Sequence, residues 1–493
     1  MGKQSSVHSS SEKQPHLVRQ LGLFDCTMIV MGGMIGSGIF IVPAGMSRTI
    51  GSPGWLIAAW VLTSILTIGA AATYGELSSA LPEAGGMYRY LRECFSPLVG
   101  FLYGWTFFTV IQTGSIAAVA VAFARFLGFF FPSISEHHYL IHPIHFSEHY
   151  AVSLSTAQLI AILVIVLLSG TNAFGLRYGK WVQNTLTVVK IGSLVGLMLV
   201  GIYGARHATI VENYSKFFSQ HPMSHTPESF TAIAFLAPLI AICVAQSGSL
   251  FSADSWHNVA FTSEEVQEPR KVLPRALILG ATLVVVIYLL VNLIYLCTLS
   301  FNDLANAPQD RVATAMLRAV MPHYGGALMS AAIVISTFGC INGLVLAGAR
   351  AYYAMARDGL FLRSAQKVNR YGVPGWSLAL QTFWSVGLLL VNTYSPKTGY
   401  GNLYGDLLDY VIAAALFFYI LTIAGVIVLR RKRPDLERPY KVPFYPLTPL
   451  VYIVGAACIL LCLAIYRPAT TWPGFVIVAC GIPVYFLFRR RAA

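Results

Sequence analysis

The chain has 493 residues, of which 56% are hydrophobic and only 11% are charged. Soluble proteins carry about 25% charged residues, so this composition excludes an ordinary soluble domain. The net charge is +13, which we interpret as the positive-inside bias of a membrane protein rather than as a nucleic-acid-binding surface.

Apolar stretches long enough to cross a bilayer, about 20 residues each, recur along the whole sequence. We therefore predict an all-α polytopic membrane protein with about twelve transmembrane helices. The predicted spans are residues 24–50, 54–80, 97–130, 155–174, 181–204, 230–258, 275–299, 325–356, 375–394, 406–430, 447–466 and 472–489. An even number of spans places both termini on the same side of the membrane.

The basic residues indicate which side that is. Of the 33 lysines and arginines, 24 lie in the two tails and the alternate loops that share their side, and seven lie in the other loops. Cytoplasmic loops are enriched in lysine and arginine, so both termini are predicted to be cytoplasmic. Arg125 and Lys190 fall inside predicted spans.

We divide the chain into two halves of five spans each. Residues 1–20 are polar and predict a disordered cytoplasmic tail. The first five-span repeat covers residues 21–204 and the second covers residues 230–430. A basic cytoplasmic loop follows at residues 431–446, and residues 447–493 contain two peripheral spans with a basic tail.

The first span contains the sequence MGGMIGSGIF at residues 31–40. Glycine disfavours a helix by about 1 kcal/mol relative to alanine, and unpaired backbone groups cannot face lipid. Two interpretations follow: neighbouring helices pack closely on a Gly32xxxGly36 pattern, or the helix is broken and its free backbone groups bind a polar ligand.

The sixth span is interrupted in the same way. Residues 246–258 read QSGSLFSADSWHN, and Asp254 lies near the middle of this stretch. A carboxylate at that depth costs at least about 2.5 kcal/mol on insertion scales, so Asp254 is expected to face a cavity or a partner.

Spans one and six occupy corresponding positions in the two halves. Paired interrupted helices of this kind indicate an inverted-repeat secondary transporter. The N-terminal end of a half-helix offers free N–H groups to a carboxylate, and a C-terminal end offers carbonyls to an ammonium group. A site with both suits the zwitterionic head of an amino acid. Close packing explains the glycines of span one, but not Ser37, Asp254 or the second interruption.

Several ordered motifs resemble the amino acid–polyamine–organocation (APC) superfamily, and the match is nearest to L-type amino acid transporters and their bacterial relatives. The resemblance covers roughly residues 20–450. The motifs are GGMIGSGIF at 32–40, PEAGGMY at 82–88, VQN at 182–184 with Lys190, FSADSW at 251–256, FTSEE at 261–265, FGCING at 338–343 and RPDLERPY at 433–440.

This resemblance implies two inverted five-helix repeats with broken helices 1 and 6, and amino acid transport by alternating access. It implies that N–H groups of Gly36, Ser37 and Gly38, with the Ser37 hydroxyl, hold the substrate carboxylate. Carbonyls of Met34 and Phe251 would meet the amino group. The implied substrate-binding residues are Met34, Ile35, Gly36, Ser37, Gly38, Phe251 and Ser252, to which we add Asp254. The Phe251 ring would be either a gate or an ordinary packing aromatic.

Two further residues are implied to act in coupling, Lys190 and Asn342. A lysine in the Lys190 position of similar transporters stands where sodium-coupled relatives bind sodium, so the resemblance implies sodium-independent transport. The Lys190 ammonium would bridge spans one, five and eight, where it could couple protons or brace the protein. The alternative is that Lys190 snorkels to the cytoplasmic interface.

Asp254 departs from the family pattern, which has a small residue at this position. Its carboxylate could pair with the substrate amino group, recognise a cationic side chain, take up a proton or form a structural pair. A cationic amino acid or polyamine antiporter is therefore the alternative function.

The chain also lacks features that other functions require. No HExxH, GxSxG or GxxxxGK[ST] motif and no filter repeat occurs, which argues against an embedded enzyme, a channel or an ATP-driven pump. The eight cysteines show no CxxC spacing, and we predict no metal site, cofactor or nucleic-acid partner. In the heteromeric animal members of the family that this chain resembles, a cysteine in this outer loop attaches a heavy chain. Residues 132–154 contain no cysteine, so the resemblance implies action without a disulfide-linked heavy chain, as in the prokaryotic relatives, and a location in the bacterial inner membrane.

Overall fold

The computed structural model describes residues 19–83, 85–147, 150–174, 179–215, 217–219, 236–395, 399–400 and 402–492. The predicted tail at residues 1–20 lies outside the described residues except for its last two, and the predicted start of span six at 230–235 also lies outside them.

Helices account for most of the chain. The first half contains α1 (Leu23–Met34), α2 (Gly38–Ile50), α3 (Pro53–Ala80), α4 (Gly86–Cys94), α5 (Pro97–Thr106), a π-helical turn (Phe107–Ile111), α6 (Gln112–Leu127), α7 (Thr156–Ala173), α8 (Gly179–Tyr203) and α9 (His207–Ser215). Local signals account for several of the helix starts. Pro53 and Pro97 occupy first-turn positions, and the Ser155 hydroxyl accepts a hydrogen bond from the Gln158 N–H.

The second half begins with α10 (Ala237–Ser252), which is followed by a 3₁₀ helix (Trp256–Glu265). It continues with α11 (Pro269–Thr298), α12 (Phe301–Ala305), a 3₁₀ turn (Pro308–Asp310), α13 (Val312–Val320), α14 (Gly325–Arg357), a 3₁₀ turn (Arg363–Gln366), α15 (Gly375–Leu390) and α16 (Leu403–Lys432). Two peripheral helices, α17 (Leu447–Tyr466) and α18 (Pro468–Ala492), complete the chain.

The helices reproduce the predicted membrane spans. Within the described residues, ten helices are long and apolar enough to cross a bilayer, and the bent pair α1–α2 makes an eleventh. The remaining predicted span is α15, an apolar helix of 16 residues. Large apolar side chains such as Phe24, Leu199 and Leu461 are more than half exposed, which is the surface that lipid tails would cover.

The two halves pack on each other through equivalent helices. α3 packs against α11, α6 against α14, α7 against α15, and α2 against α10. This pairing is the one expected of two five-helix repeats and places the interruptions of spans one and six side by side. The predicted repeat boundaries remain predictions, because the packing does not define where each repeat starts.

A small antiparallel sheet departs from the all-α prediction. Its strands are β1 (Tyr139–His145), β2 (Tyr150–Ser155), β3 (Val391–Ser395) and β4 (Gly399–Tyr400), in that spatial order. β1 and β2 form a hairpin before α7, and β3 adds to β2 with Val391 opposite Val152.

This sheet also shortens the ninth span. We predicted a span at residues 375–394, but α15 ends at Leu390 and the next residues enter β3. The backbone groups of β3 pair with β2, which lies more than 230 residues earlier in the chain. Local hydrophobicity cannot reveal such a long-range pairing, since strand formation depends on the neighbouring strand.

Candidate functional site

The first interruption separates α1 from α2. α1 ends at Met34, α2 begins at Gly38, and the two helices differ in direction by 41°. Ile35 takes an extended conformation, with φ −76° and ψ 91°, so the helix cannot continue through it. Its N–H still donates to the Met31 carbonyl oxygen at 2.8 Å, which closes the last turn of α1.

The break leaves backbone donors free at the start of α2. Within the described residues, the N–H groups of Gly36, Ser37 and Gly38 donate no hydrogen bond to protein atoms. The first N–H groups of a helix carry the positive end of its dipole, so this terminus suits a carboxylate.

The carbonyl groups at the end of α1 already have partners. The Lys190 ammonium donates to the Gly32 carbonyl oxygen at 2.8 Å, and the Tyr288 hydroxyl donates to the Met34 carbonyl oxygen at 2.9 Å. Each carbonyl oxygen retains a second lone pair, so these contacts leave one acceptor position per oxygen for a ligand.

The second interruption follows α10. Ser255 has φ +69°, in the left-handed region that serine adopts rarely, and the chain then forms the 3₁₀ helix Trp256–Glu265. A 3₁₀ run of ten residues is unusually long, and such runs often mark functional hinges. The Phe251 carbonyl oxygen accepts the Asp254 N–H at 3.2 Å, which satisfies part of this helix end.

The two interruptions touch each other at Gly38. A Cβ atom on Gly38 would lie 2.2 Å from Ser252 Oγ and 2.8 Å from Ser252 Cα. Only glycine permits this approach of α2 to α10. The close packing of span one and the break in its helix are therefore both present, because Gly36 likewise lies against Cys340 of α14.

A cavity lies between the two interruptions. Its volume of about 20 Å³ is enough for a water molecule but not for an amino acid. Its lining residues are Gly33, Met34, Gly36, Ser37, Gly38, Ser115, Val119, Phe251, Ser252, Asp254, Ser255, Cys340 and Leu344. The structure therefore represents a closed form of this cavity, which we call the central cavity.

Aromatic side chains cover the central cavity towards the predicted outer face. The Tyr404 hydroxyl and the Ser37 hydroxyl are hydrogen-bonded at 2.9 Å, and the Tyr404 ring meets the Phe251 ring edge-on at 6.3 Å. The Arg125 guanidinium lies 5.5 Å from the centre of the Tyr404 ring and pairs with Glu136 at 2.8 Å. Ser37 is thus connected to buried Arg125 through a single tyrosine.

Asp254 belongs to a buried polar cluster on the opposite side of the central cavity from Tyr404. The Tyr419 hydroxyl donates to Asp254 Oδ1, and the same hydroxyl lies 3.1 Å from His257 Nδ1. Asp254, His257 and Tyr419 are all more than 90% buried. His257 Nε2 has no hydrogen-bond partner among the described residues. No lysine or arginine in the described part of the chain pairs with Asp254.

Lys190 and Asn342 occupy different environments. The Lys190 side chain is 1% exposed and its ammonium donates to Gly32, so the snorkelling alternative is wrong. Asn342 instead accepts a hydrogen bond from the Asn172 amide at 2.8 Å, which joins α14 to α7. The two residues predicted for coupling are therefore not hydrogen-bonded to each other.

Comparison with known proteins identifies the family. The amino acid permease family matches residues 21–488, nearly the whole chain. The chain belongs to the amino acid permease family. Because that family lies within the APC superfamily and its members are transporters, the predicted family is confirmed and the enzyme alternative is excluded.

Individual relatives agree with this assignment. The permease is 27% identical to the serine/threonine exchanger SteT of Bacillus subtilis (strain 168) over 481 residues, which cover 97% of this chain and 98% of SteT. It is 29% identical to the large neutral amino acids transporter small subunit 2 of Homo sapiens, covering 96% of this chain and 80% of that protein. It is 27% identical to the b(0,+)-type amino acid transporter 1 of Mus musculus, covering 98% and 91%.

The structure brings most of the predicted site residues of the permease together. Met34, Gly36, Ser37, Gly38, Phe251, Ser252 and Asp254 all line the central cavity, while Ile35 is fully buried beside it. Their role in binding remains a prediction.

Sequence reasoning missed the residues of the permease that surround these positions. Tyr404, Tyr419 and Tyr288 place hydroxyl groups on the two interruptions, and Ser115 contributes from α6. A tyrosine inside a predicted apolar span was a visible signal for Tyr288 and Tyr419, whereas Tyr404 lies just before the predicted tenth span. The chain has 25 tyrosines, however, and only the packing shows which of them meet the breaks.

Proposed function

We propose that the permease is a secondary active transporter that moves L-amino acids across the membrane by alternating access. One observation carries this proposal: Gly36, Ser37 and Gly38, whose N–H groups are free among the described residues, line a cavity that α10 also lines. They would bind the substrate carboxylate, and the remaining acceptor positions on the Met34 and Phe251 carbonyls would bind its ammonium group. The Phe251 ring would close over the bound head group.

Sodium independence is part of the proposal. The Lys190 ammonium donates to the Gly32 carbonyl oxygen, directly before the break in span one. A fixed cation bound to a backbone carbonyl at the end of α1 would make a bound sodium ion unnecessary there. Lys190 would then hold the end of α1 in place during the transport cycle.

The test is a counterflow screen with purified protein in proteoliposomes. Liposomes preloaded with each unlabelled amino acid or a common polyamine should accumulate its labelled form faster than protein-free liposomes. Accumulation should be the same in sodium and choline buffers. No accelerated uptake of any compound would refute amino acid transport, and a strict requirement for sodium would refute the role given to Lys190.

A second candidate function rests on Asp254. This carboxylate has only neutral hydrogen-bond donors in the described part of the chain, although it lines the central cavity. A buried carboxylate without a cation is destabilised, and a cationic substrate such as lysine, arginine, ornithine or a polyamine would supply the missing charge.

Asp254→Asn distinguishes the two candidates. If the protein carries cationic substrates, the substitution should abolish their counterflow and leave neutral amino acids as the better substrates. If the substrate is a neutral amino acid, the substitution should change the counterflow of neutral and of cationic amino acids to the same extent. Tyr419→Phe is the matched control, because it removes the donor to Asp254 but keeps the carboxylate.

The coupling ion is a separate question within the same proposal. Asp254 and Lys190 are the two candidates for a transported proton, and a simple exchanger needs neither. Running the counterflow screen with and without an imposed pH gradient separates these mechanisms, since only proton-coupled uptake should follow the gradient.

The proposal also covers the partner, the membrane and the orientation of the chain in it. The absence of cysteine from residues 132–154 supports action without a disulfide-linked heavy chain, in a bacterial inner membrane. The excess of basic residues on one side supports cytoplasmic termini. Reporter fusions that fluoresce only in the cytoplasm should be bright at both ends of the chain, and a dark fusion at either end would contradict this orientation.

A further inference from the structure

A second cavity in the described part of the chain is much larger than the central cavity. A cavity of about 500 Å³ lies on the predicted outer face, between α2, α10, α16 and the connection from α17 to α18. We call it the vestibule. Its charged lining residues are Arg48, Asp310, Asp406, Asp409 and Arg467.

The vestibule adjoins the central cavity. Tyr404 lines the vestibule, and its hydroxyl is hydrogen-bonded to Ser37 in the central cavity. Gly248 also lines the vestibule, one turn before Ser252 on α10. A solute moving from the outer face to the central cavity would therefore cross the vestibule first.

Three of the five charges have close partners within the protein. Arg48 and Asp310 form an ion pair at 2.8 Å, and Arg48 also donates to the Ala305 carbonyl oxygen. Asp406 accepts a hydrogen bond from the Thr393 hydroxyl. These groups form the wall of the vestibule.

The remaining two charges have no ion-pair partner within 4.0 Å among the described residues: Asp409 is buried, and Arg467 is exposed. Asp409 is 8% exposed, and its hydrogen-bond partners in the described part of the chain are two hydroxyl groups, those of Ser247 and of Thr470, the latter at 3.5 Å. The Arg467 guanidinium makes no hydrogen bond or ion pair among the described residues, and it lies more than 4.0 Å from the Asp409 carboxylate. Hydroxyl donors and a guanidinium beyond 4.0 Å leave this buried carboxylate without a cation in direct contact, so a cation that reaches Asp409 would stabilise it.

We propose that Asp409 and Arg467 form an outer binding site for the head group of an amino acid. This inference rests on the proposed function, since it takes the same class of substrate. The substrate ammonium would bind Asp409, with the Ser247 and Thr470 hydroxyls beside it, and the substrate carboxylate would bind Arg467. An inorganic cation alone would leave Arg467 without a partner.

The rest of the vestibule does not select a side chain. Its other lining groups include apolar residues on three helices, such as Ile41, Val244 and Leu408, and its volume leaves room beyond the head group. Recognition confined to the head group predicts similar binding of small polar and large apolar amino acids at this site.

Equilibrium binding to the full-length protein in lipid nanodiscs tests the proposal, with tritiated L-serine and tritiated L-leucine as separate probes. If the central cavity also accepts a probe, the wild type should bind two molecules of that probe per chain. A probe that only the vestibule accepts should bind as one molecule per chain. Asp409→Asn and Arg467→Gln should each remove one molecule of either probe over the same concentration range. Asp303→Asn and Arg318→Gln are the matched controls, because both residues are exposed on the same face outside the vestibule. They should bind as the wild type does.

Gly38→Ala separates the vestibule from the central cavity. A Cβ atom there collides with Ser252, so this variant should retain only the vestibule site. Adding Asp409→Asn should then weaken the remaining binding at least tenfold. If Gly38→Ala does not fold, the stoichiometries of the wild type and the two vestibule variants decide alone.

Three results would overturn the proposal: neither probe bound to the vestibule in the wild type, unchanged binding in both vestibule variants, or displacement of the probe by sodium chloride but not by choline chloride. Failure of the proposed function looks different. In that case no amino acid shows counterflow, while vestibule binding and its loss in Asp409→Asn persist.

Discussion

At the scale of single residues, the buried ionisable groups show how this permease tolerates charge within its spans. Lys190 is held by a backbone carbonyl, and Glu76 accepts two hydrogen bonds from Arg430 at 2.8 and 2.7 Å. Among the described residues, the polar contacts of the Asp254 carboxylate are with Tyr419 and His257, and it pairs with no lysine or arginine. Glu76, whose carboxylate is fully paired, is structural by this measure, whereas Asp254 has room for a further partner.

Lys190→Ala should impair transport more than it impairs folding. The substitution leaves the Gly32 carbonyl unpaired at the break, and losing a charge-assisted hydrogen bond there costs about 1.5–3 kcal/mol. We expect counterflow to fall at least about tenfold at every pH. Counterflow in proteoliposomes between pH 5.5 and 8.5 measures this, with folding checked by gel filtration.

The control for this prediction is Lys271→Ala, which removes an exposed lysine paired only with Glu268 at the start of α11. That variant should transport as the wild type does, because surface pairs contribute little. Wild-type counterflow by Lys190→Ala over the whole pH range would show that Lys190 has no part in the transport cycle.

At the scale of elements, the two interruptions depend on one contact between helix ends. α2 starts where α10 ends, and the absence of a side chain at Gly38 lets the backbones approach. The long 3₁₀ helix Trp256–Glu265 then continues span six towards the predicted cytoplasmic face, with Trp256 packed edge-on against Tyr74 at 5.2 Å. Movement of α2 and α10 apart would enlarge the central cavity.

Gly38→Ala should prevent the close packing of α2 against α10. The added Cβ atom would overlap Ser252, and overpacking of this kind costs about 1–3 kcal/mol. We expect counterflow to fall at least about tenfold. Gly192→Ala in α8 is the matched control, because a Cβ atom there meets nothing within 4 Å. Equal counterflow in the two variants would contradict the geometry of the site.

Glu76→Ala should be strongly destabilising. Glu76 is 2% exposed and also accepts the Val442 N–H at 2.8 Å, so it ties α3 to α16 and to the loop after it. Breaking a buried ion pair costs about 3–5 kcal/mol, and partial exposure of Arg430 favours the lower end of that range.

Thermal unfolding of the purified protein in detergent measures this loss. Glu437→Ala breaks an exposed pair with Arg270 and should change stability by no more than about 0.5 kcal/mol. A Glu76→Ala protein as stable as the Glu437→Ala protein would show that the buried pair contributes nothing net.

At the scale of the whole molecule, the two faces of the permease are closed to different extents. The vestibule opens on the predicted outer face, while α4 and the end of α14 are joined on the opposite face. There Arg92 and Tyr88 both donate to Asp358. Burial and the Asp358 carboxylate raise the pKa of the Tyr88 phenol, so it keeps its proton and remains a donor. The structure thus corresponds to a form closed on the face that carries α4, which is the predicted cytoplasmic face.

Asp358→Asn should shift the protein towards an inward-open form. The contact is about one-third exposed, so its loss would amount to about 1 kcal/mol, or about fivefold in population. Hydrogen exchange in the segment Trp256–Glu265 should become correspondingly faster. The same measurement on Glu437→Gln, an exposed pair on the same face, serves as the control. Unchanged exchange in Asp358→Asn would mean that this contact does not hold the inner face closed.

The parts of the fold and of the site that could be predicted from the sequence are those that depend on residues close together along the chain. Eleven of the twelve spans and both interruptions could be read from runs of apolar residues and from local glycine, serine and aspartate residues. The residues that meet the interruptions could not, because Tyr404 and Tyr419 come from α16 and are brought there by packing between the two halves. The same holds for β3, whose partner strand lies far away in sequence.

The sequence by itself determined that this chain is a membrane protein, where its helices break, and that the breaks carry donors and a carboxylate. Those properties depend on the cost of placing polar backbone and side-chain groups in lipid, which acts locally. Only the tertiary structure decided that the breaks meet at Gly38 and Ser252, that Lys190 serves Gly32, and that Asp409 and Arg467 share a cavity. Those outcomes depend on which helices pack together, and that is a property of the whole chain.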